Sequence, residues 1–182
     1  MDSQLKGTDI IAIKYIVIAI AQSVYPFVIY VSGGIGFIVL LIGCFRLTKH
    51  GKAQQMFRYY APSTTFFMIF SGVILVSITN FFQMLTASLF PITSLNPQNT
   101  LLRYMNDFSN ISTNQQTVYV LYSVLMIVGL VSLIRSMILL TKVSEGQEGH
   151  LGRTISHMLA GIIAMNAEFV VNAIQNIKIF LL

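Results

Sequence analysis

The sequence predicts an all-α integral membrane protein of about four transmembrane helices, arranged as two parallel-repeat hairpins behind an N-terminal interfacial segment. Three observations predict it. The 182 residues are 55% hydrophobic and only 9% charged, with a mean hydropathy of +0.75, whereas soluble domains carry about 25% charged residues. Eleven Lys+Arg and six Asp+Glu are too few to solvate the surface of a globule this size. Second, nothing ionisable at neutral pH lies between Lys14 and Arg46, between Arg58 and Arg103, or between Asp107 and Arg135, and a helical span needs about 20 apolar residues. Third, part of the chain repeats. The net charge of +5 would suit a nucleic-acid partner, but the basic residues lie in short loops between apolar runs and form no continuous stripe, so no direct nucleic-acid site is expected. The single cysteine, Cys44, sits inside an apolar run and excludes an intramolecular disulfide.

Residues 1–25 are read first, as an interfacial or anchor segment. Ala19-Ile20-Ala21 before Gln22 imitates a secretory cleavage site, but Lys14 splits the apolar core that such a signal needs, which points to an uncleaved anchor. Gln22, Ser23 and Pro26 are expected to break it from the first span. Residues 26–86 form the first transmembrane hairpin. Its first span runs from about Pro26 to Phe45, and Ser32 and Gly36 have the small-xxx-small spacing that lets helices approach closely, with Gly33 beside them and Gly43 seven residues beyond Gly36. The loop 46–58 carries Arg46, Lys49, Lys52 and Arg58 and no acid, a cytoplasmic mark under the positive-inside rule. A second span, from about Ser63 to Leu85, holds Gly72 near its middle.

Residues 87–116 are rich in Asn, Gln, Ser and Thr, with only Arg103 and Asp107 charged, and belong on the side opposite the basic loop. Leu101, Met105 and Phe108 fall at helical spacing within it, predicting a short interfacial helix that starts near Pro97. The Asn110-Ile111-Ser112 sequon would count only in a eukaryotic secretory lumen. Residues 117–182 form the second hairpin: a span from about Thr117 to Leu140 with Arg135 near its cytoplasmic end, the loop TKVSEGQEGHLGRTIS, and a fourth apolar stretch from His157 to Leu182.

Sliding the chain by 93 residues sets IGFIVLLIGCFRLTK, ending at Lys49, over VGLVSLIRSMILLTK, ending at Lys142. Gly36 meets Gly129 and Leu40 meets Leu133. With a shift in the loop, SGVIL at 71–75 answers AGIIA at 160–164, which pairs Gly72 with Gly161. Both copies place the loop on the same side, a parallel repeat rather than the inverted kind. Four spans result, with both basic loops cytoplasmic and both termini on the other side.

Glu168 is the one carboxylate deep in an apolar helix, where an ionised acid costs at least about 2.5 kcal/mol. Glu168, Asn172 and Gln175 share one helical face with Gly161, a polar stripe that must turn from lipid. Such an acid suits a proton or ion site; alternatively it pairs with Arg135, or stays protonated and hydrogen-bonded between helices. The structural readings are favoured, because a conducting path needs further ionisable groups and Arg135 alone is offered. His50, His150 and His157 lack partners at metal-ligand spacing. No nucleophile with its base, phosphate-cradling loop or catalytic carboxylate pair is present; Gly51-Lys52 is followed by Ala. No enzyme, metal or cofactor is expected.

The pattern SGGIGFIVLLIGCFRLTKHGK, followed by FFMIFSGVILVS, resembles the small polytopic inner-membrane proteins of type IVB secretion systems, the DotE (IcmC) and DotP (IcmD) group of the Dot/Icm apparatus. The resemblance rests on residues 32–77, with a degenerate copy at 125–165 that reads TKVSEGQEG in place of the Lys-His-Gly loop. It implies a non-catalytic subunit of the bacterial inner membrane whose partners are the lipid bilayer, other membrane subunits of a secretion complex and, as a further candidate, copies of itself. A small oligomeric channel or transporter with a polar pore stripe around Glu168 is the alternative.

Overall fold

In a computed structural model the protein is described over residues 2–50, 62–90, 96–144 and 150–180, with side chains placed over 9–48, 65–90, 96–143 and 151–176. Of the basic loop, Lys52 and Arg58 and the side chain of Lys49 lie outside the described residues. The described backbone is helical, in the order α1 (Asp2–His50), α2 (Pro62–Val76), α3 (Ile78–Leu89), α4 (Pro97–Asp107), α5 (Thr113–Ser144), α6 (His150–Met165) and α7 (Ala167–Phe180), with a 3-10 turn over Phe108–Asn110 after α4. Two helices are long and apolar enough to cross a membrane, through Asp9–Thr48 and Thr113–Val143, and up to four if each of two bent helix pairs makes one crossing.

The N-terminal segment is not separate from the first span. α1 runs unbroken through Pro26, although an internal proline removes one backbone hydrogen bond and crowds the preceding turn at a cost of about 3 kcal/mol. Packing on both sides of Pro26 opposes that cost. Ile18, Ala21 and Tyr25 before it and Ser32 after it are buried, on one stripe at heptad spacing that faces the rest of the molecule. In an apolar solvent a helix also keeps its remaining backbone groups paired internally, which favours continuity over a break.

α1 packs along α2, α5 along α6, and α5 bridges the two pairs through contacts with α1 and α2. Lys14 Nζ donates to Thr113 O (3.3 Å) and Thr117 Oγ1 (2.8 Å) near the start of α5. Further along, Ser32 Oγ donates to Leu75 O (3.1 Å) and Ser71 Oγ to Met137 O (2.6 Å). Together these ties set α1 and α5 running the same way.

Glycines set the closest approaches. A Cβ on Gly36 would lie 2.7 Å from Val76 N and 2.9 Å from Gly72 O, and one on Gly72 would lie 2.9 Å from Leu40 N. The second pair repeats this: a Cβ on Gly129 would lie 2.7 Å from Gly161 O and 2.8 Å from Met165 N, and one on Gly161 3.0 Å from Leu133 N. Gly43 is closed more softly, with the Ile69 side chain 2.7 Å from its added Cβ. Gly33 is not on this seam. Nothing lies within 4 Å of a Cβ there, since one residue past Ser32 turns it about 100° from the stripe that Ser32 and Gly36 share.

Neither second arm is straight. α2 and α3 meet at 93° and α6 and α7 at 75°, at Ser77 and at Asn166. These two residues hold the same place relative to Gly72 and Gly161. Both carry short polar side chains that bond locally and compete with the helix. Asn80 Nδ2 donates to Ser77 Oγ (3.1 Å), and Asn166 Nδ2 to Ile162 O (2.8 Å).

Candidate functional site

The bend at Asn166 carries Glu168, in the first turn of α7, away from α5 and toward α4. α4 is short and sharply defined: Asn96 caps it by accepting from Gln98 N (3.1 Å), and Pro97 occupies its first turn, the position where a missing N–H costs nothing. Leu101, Tyr104 and Phe108 form its buried face. Met105 is only partly buried, at the edge of the core.

Glu168 Oε2 accepts two hydrogen bonds, from Arg103 Nη2 and from Tyr104 OH, each 2.6 Å long. The two donors differ in setting. Arg103 is half-exposed while Tyr104 is fully buried, its ring 4.6 Å from that of Tyr119 and 6.3 Å from that of Tyr122. Burial, reinforced by the bond to Glu168, pushes the Tyr104 phenol well above its ordinary range. Burial alone would lower the Arg103 guanidinium, but the facing Glu168 carboxylate and Tyr104 more than offset it and carry its pKa up. Around neutral pH the guanidinium is therefore charged and the phenol is a donor.

Beside this cluster Asn166, buried, donates through Nδ2 to Thr86 Oγ1 (3.2 Å) as well as to Ile162 O. Its Oδ1 is buried with no partner. A cleft of about 230 Å3 opens here, with Asn166, Glu168 and Arg103 among its polar residues and Met126, Met165 and Phe169 among its apolar ones. A second depression of about 440 Å3, lined by Gln83, Asn96, Asn99, Thr100 and Arg103, adjoins it, so that Arg103 stands between the two. Phe90 closes against Phe169 at 5.4 Å.

Two expectations change. Glu168 pairs with Arg103, not with Arg135: the seam sets Gly129 against Gly161 and Met165, so Arg135 lies to one side of that contact and Glu168 to the other, and the 75° bend turns Glu168 toward α4. Arg135 itself is exposed on α5. The stripe uniting Gly161 with Glu168, Asn172 and Gln175 is divided by the same bend. Gly161 faces α5 and Glu168 faces α4; Asn172, though exposed, still lines the same cleft as Glu168, and Gln175 is exposed outside that lining. His157 lies against α5, where Ser132 Oγ donates to its carbonyl (2.9 Å) and sits 3.4 Å from Nδ1. Among the described residues no three His, Cys, Asp or Glu side chains come together.

Sequence reasoning passed over Tyr104, Arg103 and Asn166 as site residues. Tyr104 had a signal, since it completes the Leu101–Phe108 face at helical spacing. The partnership with Glu168 had none, because it joins residues 64 and 65 positions apart through a bend that no periodicity announces. No family model, curated protein or solved structure matches the chain.

Proposed function

We propose that the protein is a non-catalytic, multi-pass subunit of the bacterial inner membrane that works by packing with other membrane proteins, in a secretion or conjugation apparatus of the type IVB kind. On this reading each bent pair makes one crossing, the ends carrying Arg46, Lys142 and Arg153 face the cytoplasm, and the chain folds as two parallel hairpins. α2 has 15 residues, about 22 Å at a rise of about 1.5 Å per residue, less than the hydrocarbon thickness of about 30 Å. The bends therefore lie toward the opposite surface, where α3, α7 and α4 would form an interfacial layer. α1, at 49 residues and about 74 Å, reaches well past that layer.

The observation that carries the reading is the commitment of Glu168. An acid in an apolar spanning helix marks a functional site by default, but here Glu168 sits on α7 in the interfacial layer with its Oε2 taken by Arg103 and Tyr104, a tie that fastens α7 to α4. Large apolar side chains such as Phe27, Tyr30, Phe37, Phe45 and Phe66 are exposed on the outside of the helices, surface for lipid and for neighbouring subunits.

Purification of the full chain from native membranes in mild detergent tests this. The proposal expects a stable particle containing other membrane proteins. A particle holding only this chain, which conducts ions or solutes in proteoliposomes, would replace it with the channel or transporter reading.

A further inference from the structure

We propose that a second copy of this chain docks along the outer face of α1, helix against parallel helix, over the stripe from Ile13 to Leu41. Spacing and exposure together define the stripe. Ile13, Ile20, Phe27, Gly34 and Leu41 recur every seven residues, and all are exposed. Ile16, Ser23, Tyr30 and Phe37, also exposed, fall between them at alternate steps of three and four. This is the a and d pattern of a helix seam. It lies on the side of α1 opposite Ile18, Tyr25 and Ser32, which are buried against the rest of the molecule.

Lipid does not cover the whole stripe, a point that rests on the membrane reading above. The apolar stretch Asp9–Thr48 has 40 residues, about 60 Å at a rise of about 1.5 Å per residue. A hydrocarbon layer of about 30 Å, even crossed at a tilt of about 40°, takes up only about 39 Å of helix. With Arg46 at the cytoplasmic end, the excess falls at the N-terminal end. α5 marks the height there: Lys14 is tied to Thr113 and Thr117, where α5 opens with Thr113, Asn114 and Gln115 exposed. A layer covering Ile13, 60% exposed, and Ile16, 53% exposed, would strip water from that polar turn as well. These isoleucines therefore need a cover that is itself apolar at that height above the hydrocarbon. α1 of a second copy, held in the same orientation, has it.

The stripe also complements itself. In a parallel pair each position faces its own counterpart, so a charge there would meet its like; the nine stripe positions carry none. Gly34 leaves a hollow between Tyr30 and Phe37, since nothing lies within 4 Å of a Cβ at Gly34, and an aromatic ring of the second copy fits there. At about 200 Å2 for an aromatic side chain, the exposures of Phe27 (65%), Tyr30 (79%) and Phe37 (59%) supply about 400 Å2 per copy. That is half of the roughly 800 Å2 that a stable interface takes from each side, before the isoleucines are counted.

Oxidative cross-linking of the full chain in native membranes tests this. Cys44, exposed and one heptad beyond Phe37, lies on the same seam, so mild oxidation should give a product of two copies that is lost in Cys44→Ser. On that cysteine-free background Ile16→Cys should restore the product. Val128→Cys, 56% exposed on α5, should cross-link at least about tenfold more slowly, because a held pair reacts at an effective concentration that chance collision does not reach. Gly34→Leu fills the hollow and should sharply reduce the Cys44 product. No product at Cys44 or at Ile16→Cys, equal rates at Ile16→Cys and Val128→Cys, an undiminished product in Gly34→Leu, or a product joined to a different protein would overturn the inference. A co-purified particle of several proteins without the two-copy product would sink this inference and leave the proposed function standing. The two-copy product in a conducting particle of this chain alone would do the reverse.

Discussion

Gly129 and Gly161 meet backbone to backbone: a methyl on Gly129 would lie 2.7 Å from the Gly161 carbonyl oxygen, and one on Gly161 2.8 Å from that of Gly129. Because the obstructing atoms belong to helix backbone, neither can be relieved by a rotamer change. Ala at either position should force the helices apart at about 1–3 kcal/mol, lowering the thermal unfolding midpoint in mild detergent. Gly36→Ala and Gly72→Ala should behave alike, and Gly33→Ala, with open space at its Cβ, should leave the midpoint unchanged. Equal effects at Gly33 and Gly129 would show that helix propensity, not approach, governs these sites.

The two donors to Glu168 should differ in worth. Arg103 is 51% exposed and Glu168 29%, so solvent screening holds that ion pair to about 0.2–1 kcal/mol. Tyr104 is fully buried, and Glu168→Leu strands its hydroxyl, at about 1–3 kcal/mol. In unfolding measurements Glu168→Leu should cost more than Arg103→Gln, with Glu168→Gln in between or milder. If Arg103→Gln is the costliest, the ion pair outweighs the buried phenol bond.

Tyr104 also gives a pH signature. Its folded pKa is raised above the unfolded value of about 10, first by burial and then by Glu168. The stability it contributes is therefore complete below pH about 10 and fades only as pH rises through the folded value. Near-ultraviolet titration of the folded chain should show tyrosines that resist ionisation, with one fewer in Tyr104→Phe. A variant titration curve identical in its late phase would contradict the raised pKa.

Ser71 Oγ reaches from α2 to Met137 O on α5 (2.6 Å), joining the two helix pairs. Ser123, equally buried, donates to Tyr119 O of its own helix (2.8 Å). Ser71→Ala should cost about 0.5–1.5 kcal/mol and Ser123→Ala less, since only the first loosens one helix from another. The same unfolding assay separates them.

What the sequence shows plainly is what apolar periodicity and charge can encode. The spans around Gly36 and Gly129, the repeat that pairs them, and the short helix at Pro97 were readable because each is a local pattern. The bends were not. Ser77 is followed by Thr79 and Asn80, and Asn166 by Glu168, and whether such polar residues bond back to their own helix or divert the chain depends on what packs beside them. The seam register of Gly129 against Gly161 and Met165 keeps Glu168 from Arg135, and the bend turns it to Arg103; neither is a local pattern. Pro26 shows the opposite case, where a strong local breaker is overridden by burial of Ile18, Ala21 and Tyr25.

On the proposed reading the chain crosses the membrane four times, with its basic ends on the cytoplasmic side and the Arg103–Glu168 cluster on the other. Reporter fusions placed after Lys52 and after Gln98, one in the basic loop and one at the start of α4, test it most directly. Opposite sidedness at the two sites is the predicted result; the same sidedness at both would mean that the bent pair α2–α3 turns back without crossing, and would contradict the account.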